Sequence, residues 1–334
     1  MPRVAHVPDT LRRIPFRGSD AVASGLLTRR QLDSKVWVRI LRDVYRHVDL
    51  PETDAVRAQA LRAVLPPDGV VRGRTAAWLH GVWQPRPGQV VPLEFARPTT
   101  ASSTALAGAR QRRLEFLPTM LSEVPELSDG CVGDLVEVHD APTTSVLRTC
   151  FELMRDRPLV EAVTVADAFA FAGVLTLPWL SAYVELHRGW PGVRQARMAV
   201  ELASCRSRSP GESRLRMIVV LGGLPEPIVN VAHYADRGRT MVGIPDLYIR
   251  DTPHPVGLEY DGAYHDDSVQ RTLDNRRENR FAAELHMSLL RFGATDVRSR
   301  YHASLEQIVE ATGWRHRQDL LDADFRRTAP GLAW

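Results

Sequence analysis

A polar segment between two apolar runs decides the fold of the carboxy-terminal third of the chain, where residues 244–262 read IPDLYIRDTPHPVGLEYDG. The segment from Arg250 to Pro255 contains two prolines, and short apolar runs precede and follow it. This pattern predicts a β-hairpin with its turn in the polar segment. A turn that closes symmetrically places Ile249 opposite Val256.

The same register brings carboxylates together. Counting inward from the turn puts Asp246 directly opposite Glu259, with Cβ atoms roughly 5 Å apart on one face of the hairpin. Asp261 shares that face because alternate strand residues point the same way. Like charges that face each other destabilise a sheet unless a cation lies between them, and carboxylate oxygens suit Mg²⁺ or Mn²⁺. We therefore predict a metal site formed by Asp246, Glu259 and Asp261.

The segments around the hairpin predict the rest of an α/β domain. Ser209 is a good N-cap and Pro210 suits the first helical turn, so a helix with Glu212 near its start is predicted to end at Gly222-Gly223. The order is α-β-β-β-α-β. After the first helix, its elements are a strand from Ile228 to Tyr234, the two hairpin strands, a polar helix from about Asp267 to His286, and a buried strand from Ser288 to Phe292.

Several motifs of this domain recur together in one known family. They are Ser209 to Arg216, Gly223 to Pro225, Pro245-Asp246, Glu259 to Gly262, His265, Asp274, Arg277, and Leu290 to Phe292. With these motifs, the last third of the chain resembles the very-short-patch-repair-like endonuclease domain of the PD-(D/E)XK superfamily, whose core is restriction-endonuclease-like.

The resemblance implies a metal-dependent phosphodiesterase. Asp246 and Glu259 are expected to hold the ion, while Glu212 or His265 assists proton transfer. In the similar family, Asp274 and Arg277 face the site, so Arg277 is expected either to contact DNA phosphates or to have a structural role. The implied catalytic residues are Glu212, Asp246, Glu259, Asp261 and His265.

One position departs from the superfamily pattern. A lysine usually follows two residues after the glutamate, but Asp261 stands there, and Lys35 is the only lysine of the chain. The group that usually orients the attacking water is therefore missing. Relatives of this kind also tend to lack the lysine, so both an active enzyme and an inactive nuclease fold remain open.

The site residues also have structural interpretations. Ser209 and Glu212 have the spacing of a capping box, which needs no catalytic role. Asp246 could end a strand after Pro245, and His265 could belong to a turn. Asp274 and Arg277 have the spacing of a surface pair on a helix, which stabilises by only a few tenths of a kcal/mol.

The composition limits the possible classes. A chain of 334 residues with 44% hydrophobic residues has room for two or three globular domains. The net charge is +3, and the positive charges are carried almost wholly by arginine, which favours phosphate contacts but also fits a GC-rich genome. Three cysteines without metal-ligand spacing suit a reducing cytoplasm. With neither a secretory segment nor a membrane-spanning segment in the sequence, we expect a cytoplasmic protein without membrane contact.

The amino-terminal region predicts a small DNA-binding domain. A helix that begins at Thr28 is followed by strands on either side of Arg42-Asp43. Leu27 to Leu32 and Val44 to Arg46 resemble the winged-helix domain of AbiEi-type antitoxins, and the resemblance covers about the first fifty residues. Arginines there could contact phosphates, or the domain could bind a protein. The predicted DNA contacts are Arg29, Arg30, Arg39, Arg42 and Arg46.

These observations predict a domain order and a function. The segments are a winged-helix-like domain at 1–50, a mixed α/β linker domain at 51–205, an endonuclease-like domain at 206–300 and a helical tail at 301–334. The expected function is Mg²⁺- or Mn²⁺-dependent hydrolysis of DNA phosphodiester bonds. The alternative is an antitoxin-like or transcriptional regulator with an inactive nuclease fold, for which a toxin or another protein is the expected partner. A protein-interaction module without nucleic-acid contact is the third interpretation.

Overall fold

The computed structural model describes residues 7–85, 92–101, 109–116, 133–235, 238–262 and 279–326. The chain is a mixed α/β protein, as predicted, and it divides into two compact units, Met1–Leu153 and Met154–Trp334. The boundaries predicted near residues 50, 205 and 300 fall inside these units and stay predictions. Within the described residues, no helix has the length and apolar character needed to cross a bilayer.

The first unit begins with short helices around a three-stranded sheet of order β1-β3-β2. Thr28 caps α3 in a full capping box with Gln31, because each side chain accepts a backbone hydrogen bond from the other residue. This confirms the helix that was predicted to begin at a threonine. The elements are α1 (Asp9–Arg12), β1 (Phe16–Arg17), α2 (Gly18–Ala23), α3 (Arg29–Leu32), β2 (Trp37–Leu41) and β3 (Val44–His47).

The predicted turn at Arg42-Asp43 is also confirmed, because Leu41 pairs with Val44 across it. Asp43 has a φ of 63°, a left-handed conformation that aspartate tolerates better than most residues. Its carboxylate accepts hydrogen bonds from the backbone N–H and the hydroxyl of Ser19 at the start of α2. The turn of this hairpin is therefore attached to a helix.

The rest of the first unit is a five-stranded sheet of order β6-β5-β4-β8-β7 with helices packed against it. Trp78 of α5 and Phe95 of β5 are fully buried in its core. The boundary between the units falls within α6. The elements are α4 (Asp54–Arg62), β4 (Val70–Val71), α5 (Gly73–Leu79), β5 (Glu94–Pro98), β6 (Arg110–Leu114), β7 (Leu135–Val138), β8 (Ala141–Thr144) and α6 (Val146–Arg155).

A buried ionic cluster joins this sheet to α6. Arg148 donates to Asp134 at 2.6 Å and to Glu152 at 2.8 Å, and Arg72 donates to the other oxygen of Glu152 at 2.7 Å. The four side chains are at most 8% exposed. Burial would raise the pKa of Glu152, but the attraction and hydrogen bonds of Arg72 and Arg148 outweigh it and lower that pKa.

The second unit begins with four helices, α7 (Leu159–Phe171), α8 (Leu177–Leu186), α9 (Val193–Glu201) and α10 (Pro210–Leu221). Ser209 caps α10 as predicted, and the helix ends at Gly222. Arg214 of α10 forms a bidentate pair with Glu161 of α7, with distances of 2.7 and 2.9 Å. The arginines of the Ser209–Arg216 motif therefore join two helices, since Arg216 likewise donates to the buried Asp167.

A four-stranded sheet of order β14-β13-β12-β9 follows. Its strands are β9 (Ile228–Val229), β12 (Leu247–Ile249), β13 (Val256–Asp261) and β14 (Ser288–Gly293), and a separate ribbon consists of β10 (His233–Ala235) and β11 (Thr240–Gly243). The single strand predicted from Ile228 to Tyr234 is therefore wrong. Asn230 has a φ of 51°, which interrupts the extended backbone between β9 and β10.

Helices complete the second unit. Of the helix predicted from Asp267 to His286, only residues 279–286 are described. Residues 279–285 are helical and are called α11 here, and His286 has a left-handed φ of 50°. The predicted strand at Ser288 to Phe292 is confirmed as β14, which pairs in parallel with β13. The remaining helices are α12 (Ala294–Arg298), α13 (Tyr301–Thr312) and α14 (Asp322–Phe325).

Candidate active site

The hairpin of β12 and β13 has the register that the sequence predicts. Ile249 pairs with Val256 and Leu247 pairs with Leu258. Asp246 directly precedes β12 and Glu259 follows Leu258 in β13, so the two residues lie beside each other where this pairing ends. Since β13 extends to Asp261, that residue lies on the same face of its strand as Glu259.

The register continues across the sheet and forms a row of polar residues. On one side, Glu259 pairs with Arg291 of the parallel strand β14. On the other side, the backbone N–H of Asn230 donates to the carbonyl of Asp246 at 2.8 Å. The site row therefore consists, in order across the sheet, of Asn230, Asp246, Glu259 and Arg291.

The two central carboxylates of the site row have defined partners. One carboxylate oxygen of Asp246 accepts the backbone N–H of Tyr260 at 2.8 Å, which fixes the side chain beside β13. Glu259 accepts a hydrogen bond from Nε of Arg291 at 3.2 Å. Sequence reasoning assigned no role to Arg291 or Asn230, although Arg291 belongs to a recognised motif.

Glu212 is connected to the site row through Asn230. Its Oε2 accepts from the backbone N–H of Arg208 at 2.9 Å and from the side-chain amide of Asn230 at 3.0 Å. Ser209 accepts from the backbone N–H of Glu212, but the carboxylate does not return a bond to Ser209 as a capping box requires. The capping interpretation is therefore correct for Ser209 and wrong for the side chain of Glu212.

A close approach of α10 to β13 holds Glu212 near the sheet. A Cβ atom at Gly211 would collide with the ring of Tyr260, so only glycine permits the first turn of α10 to pack against this strand. Tyr260 lies between Glu259 and Asp261. Packing therefore requires the glycine of the Pro-Gly-Glu sequence at the start of α10.

A complete metal cluster is not formed by the described residues. Among them, no three histidine, cysteine, aspartate or glutamate side chains are arranged to hold an ion. Asp261 is exposed near the end of β13. Of the other residues implied by the resemblance, His265, Asp274 and Arg277 lie outside the described ranges.

The amino-terminal arginines separate into two groups. Arg29, Arg30, Arg39 and Arg42 are exposed on α3 and the β2–β3 hairpin. Arg46 differs, because its guanidinium donates to the carbonyl of Leu50 at 2.6 Å and lies 3.7 Å from Glu52. Its side chain is 14% exposed, so it stabilises the segment that follows β3.

Comparisons with known proteins identify no family for this chain. No protein-family model, curated protein or solved structure matches the chain.

Proposed function

We propose that the carboxy-terminal part of this chain is an endonuclease-like domain that hydrolyses DNA phosphodiester bonds with a divalent cation. One observation carries the proposal. Hydrogen bonds connect Glu212 to Asn230 and Asn230 to Asp246, and Asp246 lies beside Glu259 where the pairing of β12 with β13 ends. Arg291 donates to Glu259 from the next strand. Carboxylate oxygens are the ligands that Mg²⁺ and Mn²⁺ prefer, and here they come from neighbouring elements of one sheet and one helix.

The donor set fits such an ion by its chemistry. Mg²⁺ and Mn²⁺ prefer carboxylate oxygens, and Asp246 and Glu259 are the residues that would hold the ion. When bound, the ion supplies Lewis-acid chemistry, which activates water and offsets charge at the phosphorus. We assign Asp261 as the carboxylate that orients the attacking water in place of the missing lysine.

The surrounding residues have positioning roles. Arg291 orients the carboxylate of Glu259 by a charged hydrogen bond, and the N–H of Tyr260 orients Asp246. Glu212 would help to position Asp246 through Asn230, whose side-chain amide donates to Glu212 and whose backbone N–H donates to the carbonyl of Asp246. His265 and Arg277 remain proposals for proton transfer and phosphate contact.

The amino-terminal domain would bind DNA as a winged-helix-like module. The support is a short capped helix followed by a hairpin, with Arg29, Arg30, Arg39 and Arg42 exposed on them. These side chains would contact phosphates, which confer affinity without sequence specificity.

The test is cleavage of supercoiled, linear and single-stranded DNA by the intact protein in Mn²⁺ or Mg²⁺. We expect weak nicking that is lost in Asp246→Ala, and loss also in Asp261→Asn with the fold retained, while Asp261→Lys restores the usual superfamily arrangement. Activity that persists in Asp246→Ala, or no cleavage of any substrate, would refute the endonuclease assignment.

A second candidate is an antitoxin-like or transcriptional regulator with an inactive nuclease fold. It is favoured by the ion pair of Arg291 with Glu259, which already provides one cation, and by Asp261 at the position of the usual lysine. This candidate predicts DNA binding without cleavage and no response to Mn²⁺. The regulator would then also bind a toxin or another protein.

A further inference from the structure

A loop beside the site row presents two arginines to solvent. Arg206 and Arg208 are exposed, whereas Ser207 between them is 2% exposed. Because the buried Ser207 faces inward, both guanidinium groups extend from the outer side of the loop. The loop precedes α10 directly and is called the arginine loop here, residues 204–208.

The backbone of the arginine loop is fixed by side chains of the surrounding structure. Three hydrogen bonds hold it along its length, and two of them come from residues of the candidate site. The bonds are Ser204 N–H to Asp167 at 2.6 Å, the Asn230 amide to the Arg206 carbonyl at 2.9 Å, and Arg208 N–H to Glu212 at 2.9 Å.

We infer that Arg206 and Arg208 bind phosphate groups of duplex DNA and position the strand at the site row. Guanidinium groups match phosphate oxygens in bidentate geometry, and a loop that is already ordered loses little entropy on binding. Glu212 and Asn230 connect the arginine loop to Asp246, so a strand held there lies beside the carboxylates. The inference rests on the proposed function and adds a substrate-binding surface to it.

The experiment measures binding of the intact protein to a fluorescent DNA duplex by anisotropy, in EDTA, over a series of salt concentrations. The variant is Arg206→Gln with Arg208→Gln, which leaves every backbone hydrogen bond of the loop in place. The matched control is Arg315→Gln with Arg317→Gln, two exposed arginines of the same spacing. They lie at the other end of α10, where Gln318 donates to the carbonyl of Gly222.

We expect the loop variant to bind about tenfold more weakly, with a slope of log affinity against log salt that is smaller by about 2, since each phosphate contact contributes about 0.9. The control should change neither value to this extent. Equal losses in both variants, no loss in the loop variant, or no binding by the wild type would overturn the inference.

Nicking in Mn²⁺ by the same proteins distinguishes this inference from the proposed function. Wild-type nicking with unchanged duplex binding by the loop variant refutes only the arginine loop as a binding surface. Weakened binding by the loop variant without any nicking that depends on Asp246 refutes the hydrolytic function and keeps the binding surface.

Discussion

Two charged clusters of this protein are built from the same residue types but differ in burial. In the first unit, Arg72 and Arg148 match Asp134 and Glu152 in number, and the four side chains are at most 8% exposed. In the second unit, the site row contains Asp246, Glu259 and Arg291, and Arg291 pairs with Glu259 at 3.2 Å.

The difference teaches how a structural ionic cluster is distinguished from a candidate functional one. A buried cluster must compensate its charges internally, because unpaired charge in the interior costs several kcal/mol. The site row is closer to solvent, since the side chains of Glu259 and Arg291 are 14% and 30% exposed. Carboxylates at this depth remain accessible to an ion from solvent, which is what the proposed cation site requires.

The largest expected effect concerns the balanced cluster. Arg148→Met removes the residue that pairs with both carboxylates, and we expect the free energy of unfolding to fall by about 3–5 kcal/mol in urea titrations. The matched change in the site row, Arg291→Met, should cost less than about 1 kcal/mol because that pair is partly exposed. Equal losses would show that the two clusters do not differ in this way.

The second effect concerns the proposed cation. Mn²⁺ at about 100 times its dissociation constant should raise the free energy of unfolding by about 2.7 kcal/mol. Thermal unfolding of the intact protein should show this stabilisation for wild type and for the control Asp251→Asn at the other end of the hairpin. Asp246→Asn and Glu259→Gln should abolish it. A similar response of all four proteins would contradict a cation site in the site row.

A third effect is the dependence of stability on acid. The pKa of Glu152 is lowered in the folded state, so its contribution to stability is present above its unfolded value, near 4.5, and is lost as pH falls through the folded value. Urea titrations between about pH 6 and pH 3 should show a steeper loss for wild type than for Glu152→Gln. Parallel curves would contradict the pairing with Arg72 and Arg148.

The smallest effects separate the arginines of the amino-terminal domain. Arg46→Ala should lower stability by about 1–2 kcal/mol, because it removes hydrogen bonds to backbone carbonyls such as that of Leu50. Arg42→Ala should change stability by less than about 0.5 kcal/mol but reduce the salt dependence of DNA binding. If only Arg46→Ala weakens binding, the exposed arginines are not the contact surface.

The hairpin and the helix caps could be predicted because their causes are local. A symmetrical turn between apolar runs determines the pairing of Ile249 with Val256. Ser209 and Thr28 cap helices through atoms three residues away. Spacing in the sequence is sufficient wherever the interacting groups are close along the chain.

The remaining contacts could not be predicted because they join distant segments. Arg214 pairs with Glu161, 53 residues earlier, and Arg291 pairs with Glu259, 32 residues earlier. Neither distance in sequence leaves a periodic signal. Asn230 also gave no signal, because the apolar residues around it favour one continuous strand and only its left-handed φ reveals the interruption.

That interruption has a consequence for self-association. Asn230 ends β9 after two residues, and β9 is the outermost strand on its side of the four-stranded sheet. Long exposed edge strands are templates on which another chain can add a strand, and very short edges are a natural protection against this. The same asparagine that holds Glu212 and the arginine loop thus limits the opportunity for aggregation at this edge.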